Sequence, residues 1–180
     1  MILLTQRLGF CSILFLSCFV LGCGQQQEIN KLIDEINAAG AKARTLTKQA
    51  EAKRVEARRK YSNGERSEGE KLNEETANLY KQISELLNQS ADKGEQVVKL
   101  STTDWYKDYF TLYSRWTRNL AKLANGAHEE LVVRKNGAPS EDQLKSWKDN
   151  ISKLNKENEE LRKEIAKIES EHGTSLIKHD

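Results

Sequence analysis

The chain has 180 residues, 31% of them charged and 7% aromatic, a single proline (Pro139), and a formal net charge of +2. Its length leaves room for one domain plus a targeting segment. Scarce proline with abundant Glu, Lys, Leu and Ala argues against a β-sandwich and for long helices, and the small net charge argues against the strongly basic face of nucleic-acid binders. Cys11, Cys18 and Cys23 all lie within the first 23 residues. If that segment is processed, the folded part carries no internal thiol, so disulfides, thiolate zinc, covalent haem and cysteine catalysis are excluded together.

Residues 1–22 have the layout of a signal peptide: Arg7, an uncharged apolar core from Leu8 to Leu21, then an abrupt change to Gln25-Gln26-Gln27. The core is short of the roughly 20 residues a spanning helix needs. The first positive charge after it is Lys31, whereas a stop-transfer segment is usually flanked at once by Lys or Arg. The run Val20-Leu21-Gly22-Cys23 resembles the lipobox of bacterial lipoproteins and fits better than the alternative register ending at Cys18. The resemblance covers these first 23 residues only. It implies a diacylglyceryl group on the Cys23 thiol, cleavage before Cys23 and acylation of the new amino group. The expected protein is anchored to the membrane through Cys23, on the outer membrane where the host has two. Residues 23–25 then form an acylated N-terminus and short spacer.

Four stretches with apolar residues at three-and-four spacing follow, at about 26–61, 68–100, 103–136 and 141–171. The first seam is Ile29, Leu32, Ile36, Ala39, Ala43, Leu46, Ala50 and Ala57, stopped by Asn63-Gly64. Ser67 and Glu70 have capping-box spacing ahead of the second seam of Leu72, Thr76, Leu79, Ile83, Leu86, Ser90, Gly94 and Val97. Ser101-Thr102-Thr103-Asp104 offers an N-cap to the third, which runs through Trp105, Tyr109, Leu112, Trp116, Leu120, Leu123, Ala127 and Leu131 to Asn136-Gly137. Ser140 and Gln143 form a second candidate capping box. The fourth seam keeps heptad spacing over Leu144, Trp147, Ile151, Leu154, Asn158, Leu161, Ile165 and Ile168. Gly173 ends it and leaves 173–180 as a flexible tail.

Equal lengths and short connections predict an all-α, antiparallel up-down-up-down four-helix bundle over 26–172. Elongated coiled-coil hairpins, or second and third helices continuous as one bent rod, are the alternatives. Lys53, Arg54, Arg58, Arg59 and Lys60 end the first helix, and Glu65, Glu68, Glu70, Glu74 and Glu75 begin the second. This charge pattern suits an antiparallel pair and each helix dipole.

The run from Trp105 to Trp116 holds six aromatics in twelve residues. Trp105, Tyr109, Leu112 and Trp116 fall on the core face. Tyr106, Phe110 and Tyr113 form an adjacent stripe, which either thickens the core or makes a contact patch. In an up-down-up-down bundle Trp105, Tyr106, Phe110 and Tyr113 lie towards the anchored end, as candidates for a partner or headgroup contact. Asn158 in the fourth seam either sets register or is a half-exposed polar position. Glu169 and His172 have the Glu-x-x-His step of di-iron bundles, which need a second such step that is missing here, so no metal or other cofactor is expected. No nucleophile motif, phosphate loop or paired inward carboxylate argues for an enzyme. The expected function is that of a cell-envelope structural or interaction module, with a protein partner or self-association through its helices. The alternative is a carrier that holds a lipid or other apolar ligand near the aromatic cluster of the third helix.

Overall fold

A computed structural model of the chain describes the backbone of residues 3–177 and the side chains from Gly24 onward. The side chains of residues 1–23, on which the signal-peptide, lipobox and Cys23 readings rest, lie outside those described. The fold is an all-α four-helix bundle: α1 (Leu3–Ser62), α2 (Arg66–Leu100), α3 (Asp104–Asn136) and α4 (Glu141–His172). α1 begins upstream of the expected residue 26; the run there has no proline, and Gly9, Gly22 and Gly24 each cost a helix only about 1 kcal/mol. α2, α3 and α4 hold 35, 33 and 32 residues, rods of roughly 50 Å at about 1.5 Å per residue.

Each connection is short and set by local chemistry. Asn63-Gly64 makes the α1–α2 turn, with Gly64 at φ 81, a conformation glycine adopts without penalty. That turn starts α2 at Arg66, with Glu65 as an N-cap that makes no side-chain cap bond. Ser67 therefore lies inside the first turn, and the Ser67–Glu70 capping box is corrected. Glu65 and Glu68 instead gather on the Lys60 ammonium, Glu65 at 2.5 Å. α2 ends at Leu100 and Ser101 turns to extended geometry. The Thr103 amide then donates to the Ser101 hydroxyl at 3.2 Å. The chain doubles back there, so α2 and α3 are two helices rather than one bent rod. Thr103 caps α3 by position alone, without a side-chain bond. The Ser140–Gln143 capping box is formed in both directions.

Antiparallel pairing follows from the cross-helix contacts. Lys53–Glu75 at 2.5 Å and the Lys93–Glu35 pair bind the two halves of α2 to the C-terminal half of α1 in antiparallel order. Ser90 with Tyr113 at 2.9 Å, and His128 with the Ala77 carbonyl at 2.9 Å, bind α2 to α3. Tyr109 with Glu169 at 2.9 Å and Arg115 with Glu157 at 3.2 Å bind α3 to α4. The basic end of α1 is thus largely answered by its neighbours: Lys53 and Lys60 by α2, and Arg54 by Glu130 of α3 at 3.9 Å.

The core lies in two blocks. One joins Ile29, Leu32 and Ile36 to Val97, Tyr109, Phe110 and Tyr113. The other is thinner and alanine-lined, with Ala43, Ala50, Ile83 and Ala124. α4 packs against α3, and its backbone does not come alongside α1 or α2. Its second half is seated through Leu161 and Ile165, whereas Leu144 and Ile151 in its first half remain 41% and 46% exposed.

The tail also departs from expectation. Gly173 adopts a left-handed C-cap at φ 62, which turns the chain back over the bundle. The Thr174 amide then donates to the Glu169 carbonyl at 3.2 Å, and Asn37 reaches the Leu176 carbonyl at 3.4 Å. Ile177 is 5% exposed, within the Ile29–Ile36 block. Leu176 and Ile177 are therefore packed, because they are apolar and the first core block offers them cover; 178–180 lie outside the described residues.

Candidate functional site

Three surfaces stand out. The first is the aromatic end. Gln25 donates to the Leu100 carbonyl, which puts the start of the described α1 side chains beside the α2–α3 turn and hence beside Trp105. Trp105 packs edge-on against Tyr106 at 4.3 Å and stacks flat on His172 at 4.4 Å, with 10° between the planes. Both Trp105 and Tyr106 are half-buried.

Phe110 and Tyr113, in the stripe that either thickens the core or makes a contact patch, are buried at 0% and 3% exposure and so belong to the core. The core face of α3 is rotated towards them, and Trp116 is left half-buried instead. The reason lies on α2. Gly94 and Ser90 open a slot into which the Tyr113 ring fits, with its hydroxyl met by Ser90, and Gly94 also lets the Phe110 backbone come close. Small residues opposite bulky ones were the available signal. Of the four aromatic candidates, Trp105 and Tyr106 keep an accessible edge.

Glu169 and His172 are both engaged. Glu169 accepts from the Tyr109 hydroxyl at 2.9 Å and from Ser175 at 3.0 Å, while His172 lies on Trp105. Burial, reinforced by the Glu169 carboxylate, holds the Tyr109 phenol well above the ordinary tyrosine range. These contacts clamp α3, α4 and the tail together. No group of three His, Cys, Asp or Glu that could hold a metal ion occurs among the described residues.

The second surface is the first half of α4. Here α3 and α4 separate around a cavity of about 690 Å³, bordered by Trp147, Ile151 and Leu154 on one side and Ala121, Leu123 and Gly126 on the other. The heptad seam continues across this gap but has only a partial partner within the bundle. The third is a groove of about 710 Å³ along the α1–α3 seam, floored by Ile83 and Leu87 of α2.

No helix among the described residues is long and apolar enough to cross a membrane. No family model, no curated protein and no solved structure matches this chain.

Proposed function

We propose that this chain is a lipid-anchored protein of the bacterial cell envelope that acts by binding, as a structural or protein-interaction helical module, and not as an enzyme. Its anchor is acylated Cys23, on the outer membrane where two are present. The observation that carries the binding role is the uncovered half-seam of α4. A helix that keeps heptad spacing from Leu144 to Ile168 yet leaves Leu144 and Ile151 over 40% exposed presents apolar surface suited to a second helix. Lys145, Lys148, Lys153 and Lys156 beside Glu141, Asp142 and Asp149 flank that seam with mixed charge, which suits a solvated protein contact. The short spacer after Cys23 keeps the Trp105–Tyr106 edge near the headgroups, where aromatic rings with one wet edge sit well.

A photocrosslinking residue at position 144 or 151 in intact cells tests the reading. Covalent capture of one defined protein, or of a second copy of this chain, is the expected result. Crosslinks confined to α3 of the same chain would refute it. The anchor is tested separately by mass spectrometry of the mature N-terminus, which is expected to carry acyl mass at Cys23 and to lose it in Cys23→Ser.

A further inference from the structure

The sequence holds three Asn-Gly steps: Asn63-Gly64, Asn125-Gly126 and Asn136-Gly137. Such a step exposes an asparagine to its own backbone. Glycine has no Cβ, so the next amide nitrogen can approach the side-chain Cγ unhindered. The approach requires rotation about ψ of the asparagine. What that rotation would break differs at each step.

At Asn63 a set of turn bonds opposes it. The Gly64 amide donates to the Tyr61 carbonyl at 3.1 Å and the Glu65 amide to the Lys60 carbonyl at 2.9 Å. The Asn63 side-chain amide donates to the Glu65 carboxylate at 3.2 Å. Asn125 lies within α3, where rotation would tear the hydrogen-bond ladder. Its side-chain amide is also held, by Glu129 at 2.7 Å. Asn136 has neither restraint. It is the last residue of α3, and its C-cap Gly137, at φ 154 and ψ −174, makes no backbone cap bond. The corresponding amides of Ser101 and Gly173 bond to the Val97 and Glu169 carbonyls. Asn136, Gly137 and Ala138 are exposed, and no atom lies within 4 Å of a Cβ built on Gly137. Rotation there costs no bond of the helix, whose last carbonyls have no ladder partner in any case.

We propose that Asn136 is a site of spontaneous deamidation that modifies the α3–α4 joint. The Gly137 nitrogen bonds to the Asn136 Cγ, its proton passes through solvent to the side-chain nitrogen, and that nitrogen departs as ammonia. Water then opens the resulting succinimide at either carbonyl. The product is aspartate, or isoaspartate with the main chain routed through the former side chain and longer by one methylene. Water is consumed and ammonia released, with no oxidant or cofactor. Either product puts a carboxylate at the C-terminus of α3, the end where the helix dipole disfavours an anion. Lys135 next to it pairs with Glu74 of α2 at 2.9 Å, and the new carboxylate competes for that ammonium. The inference depends neither on the α4 half-seam nor on the anchor.

The test incubates the purified full chain at mildly alkaline pH and follows three tryptic peptides by mass spectrometry: 61–66, 123–134 and 136–145. Asn125 and Asn136 share the tripeptide Asn-Gly-Ala, so their comparison isolates the fold from the local sequence. Peptide 136–145 should gain the amide-to-acid mass at least about tenfold faster than either other peptide, because bonds must open first at Asn63 and Asn125. Its aspartate and isoaspartate forms should separate chromatographically. In urea the Asn125 and Asn136 rates should converge. Asn136→Gln, whose longer side chain closes a less favourable ring, should stop conversion in 136–145 and leave the other two peptides unchanged. Equal rates at Asn125 and Asn136 in the folded chain would overturn the assignment. A difference between them that persists in urea would overturn its structural cause.

Discussion

Gly94 lets α2 and α3 meet closely: a Cβ placed there would lie 2.4 Å from the Ser114 hydroxyl oxygen, which donates to the Ala91 carbonyl at 3.1 Å. Gly94→Ala gains about 1 kcal/mol of helix propensity. Against this, overpacking costs about 1–3 kcal/mol and the displaced hydrogen bond about 1 kcal/mol. A net loss of about 1–3 kcal/mol in urea unfolding is expected, and Ser114→Ala in the same chain should recover much of it. A neutral or stabilising Gly94→Ala would refute the close approach. The sequence placed Gly94 in the second seam correctly. It placed the core of α3 too far towards Trp116, because six aromatics in twelve residues leave the apolar arc wide on every side. Periodicity alone does not orient such a helix; the slot at Ser90 and Gly94 on α2 does.

α4 divides at about Asn158, and its two halves have different energetics. Leu161 is 3% exposed, so Leu161→Ala is expected to cost about 2–5 kcal/mol. Leu144→Ala and Ile151→Ala should stay within about 0.5 kcal/mol, as for exposed positions generally, while reducing partner capture. Chemical denaturation of the three variants decides this: a large loss from Leu144→Ala would mean that the half-seam is already packed. Between the halves Asn158 is 7% exposed, and its Oδ1 makes no hydrogen bond within the protein. Asn158→Leu is therefore expected to raise stability by about 1 kcal/mol, read from the same unfolding curves. The four helices were legible from seams and punctuation, and the Ser140–Gln143 box was legible to the residue. The Ser67 box was not, because a three-residue turn at Asn63-Gly64-Glu65 fixed the helix start before the serine could act. Packing of Leu176 and Ile177 was illegible too, since two residues are too few to show a period. The groove was hidden for a related reason: heptads report which face of a helix is apolar, not which neighbour covers it.

At the scale of the whole molecule, α1, α2 and α3 form a continuous body and α4 leans on α3, which leaves both the α1–α3 groove and the α4 half-seam uncovered. Stability against pH should reflect that body. Tyr113 and Tyr109 are both held above the ordinary tyrosine value of 10.0, chiefly by burial. Their contribution is whole below about pH 10 and is lost above it, because the unfolded chain releases phenolic protons that the folded chain retains. Glu35, Glu65 and Glu75 are shifted the other way, below 4.5, by their lysine partners. Their contribution is present above pH 4.5 and fades as the pH falls below it. These carboxylates are solvent-exposed, so that loss is small and screened by salt. The expected thermal stability is a plateau from about pH 5 to 10 with a steep alkaline edge and a shallow acid one. Adding 1 M salt, which cuts the screening length to about 3 Å, should change the acid edge far more than the alkaline one. Thermal melts by circular dichroism from about pH 3 to 11 read both limbs. Tyr109→Phe together with Tyr113→Phe removes the titrating phenols and should move the alkaline edge to higher pH, even though loss of the Glu169 and Ser90 bonds lowers the plateau. An alkaline edge that stays in place in the double variant would mean that other groups set it, and that burial of this aromatic pair is not what ties the first core block together at high pH.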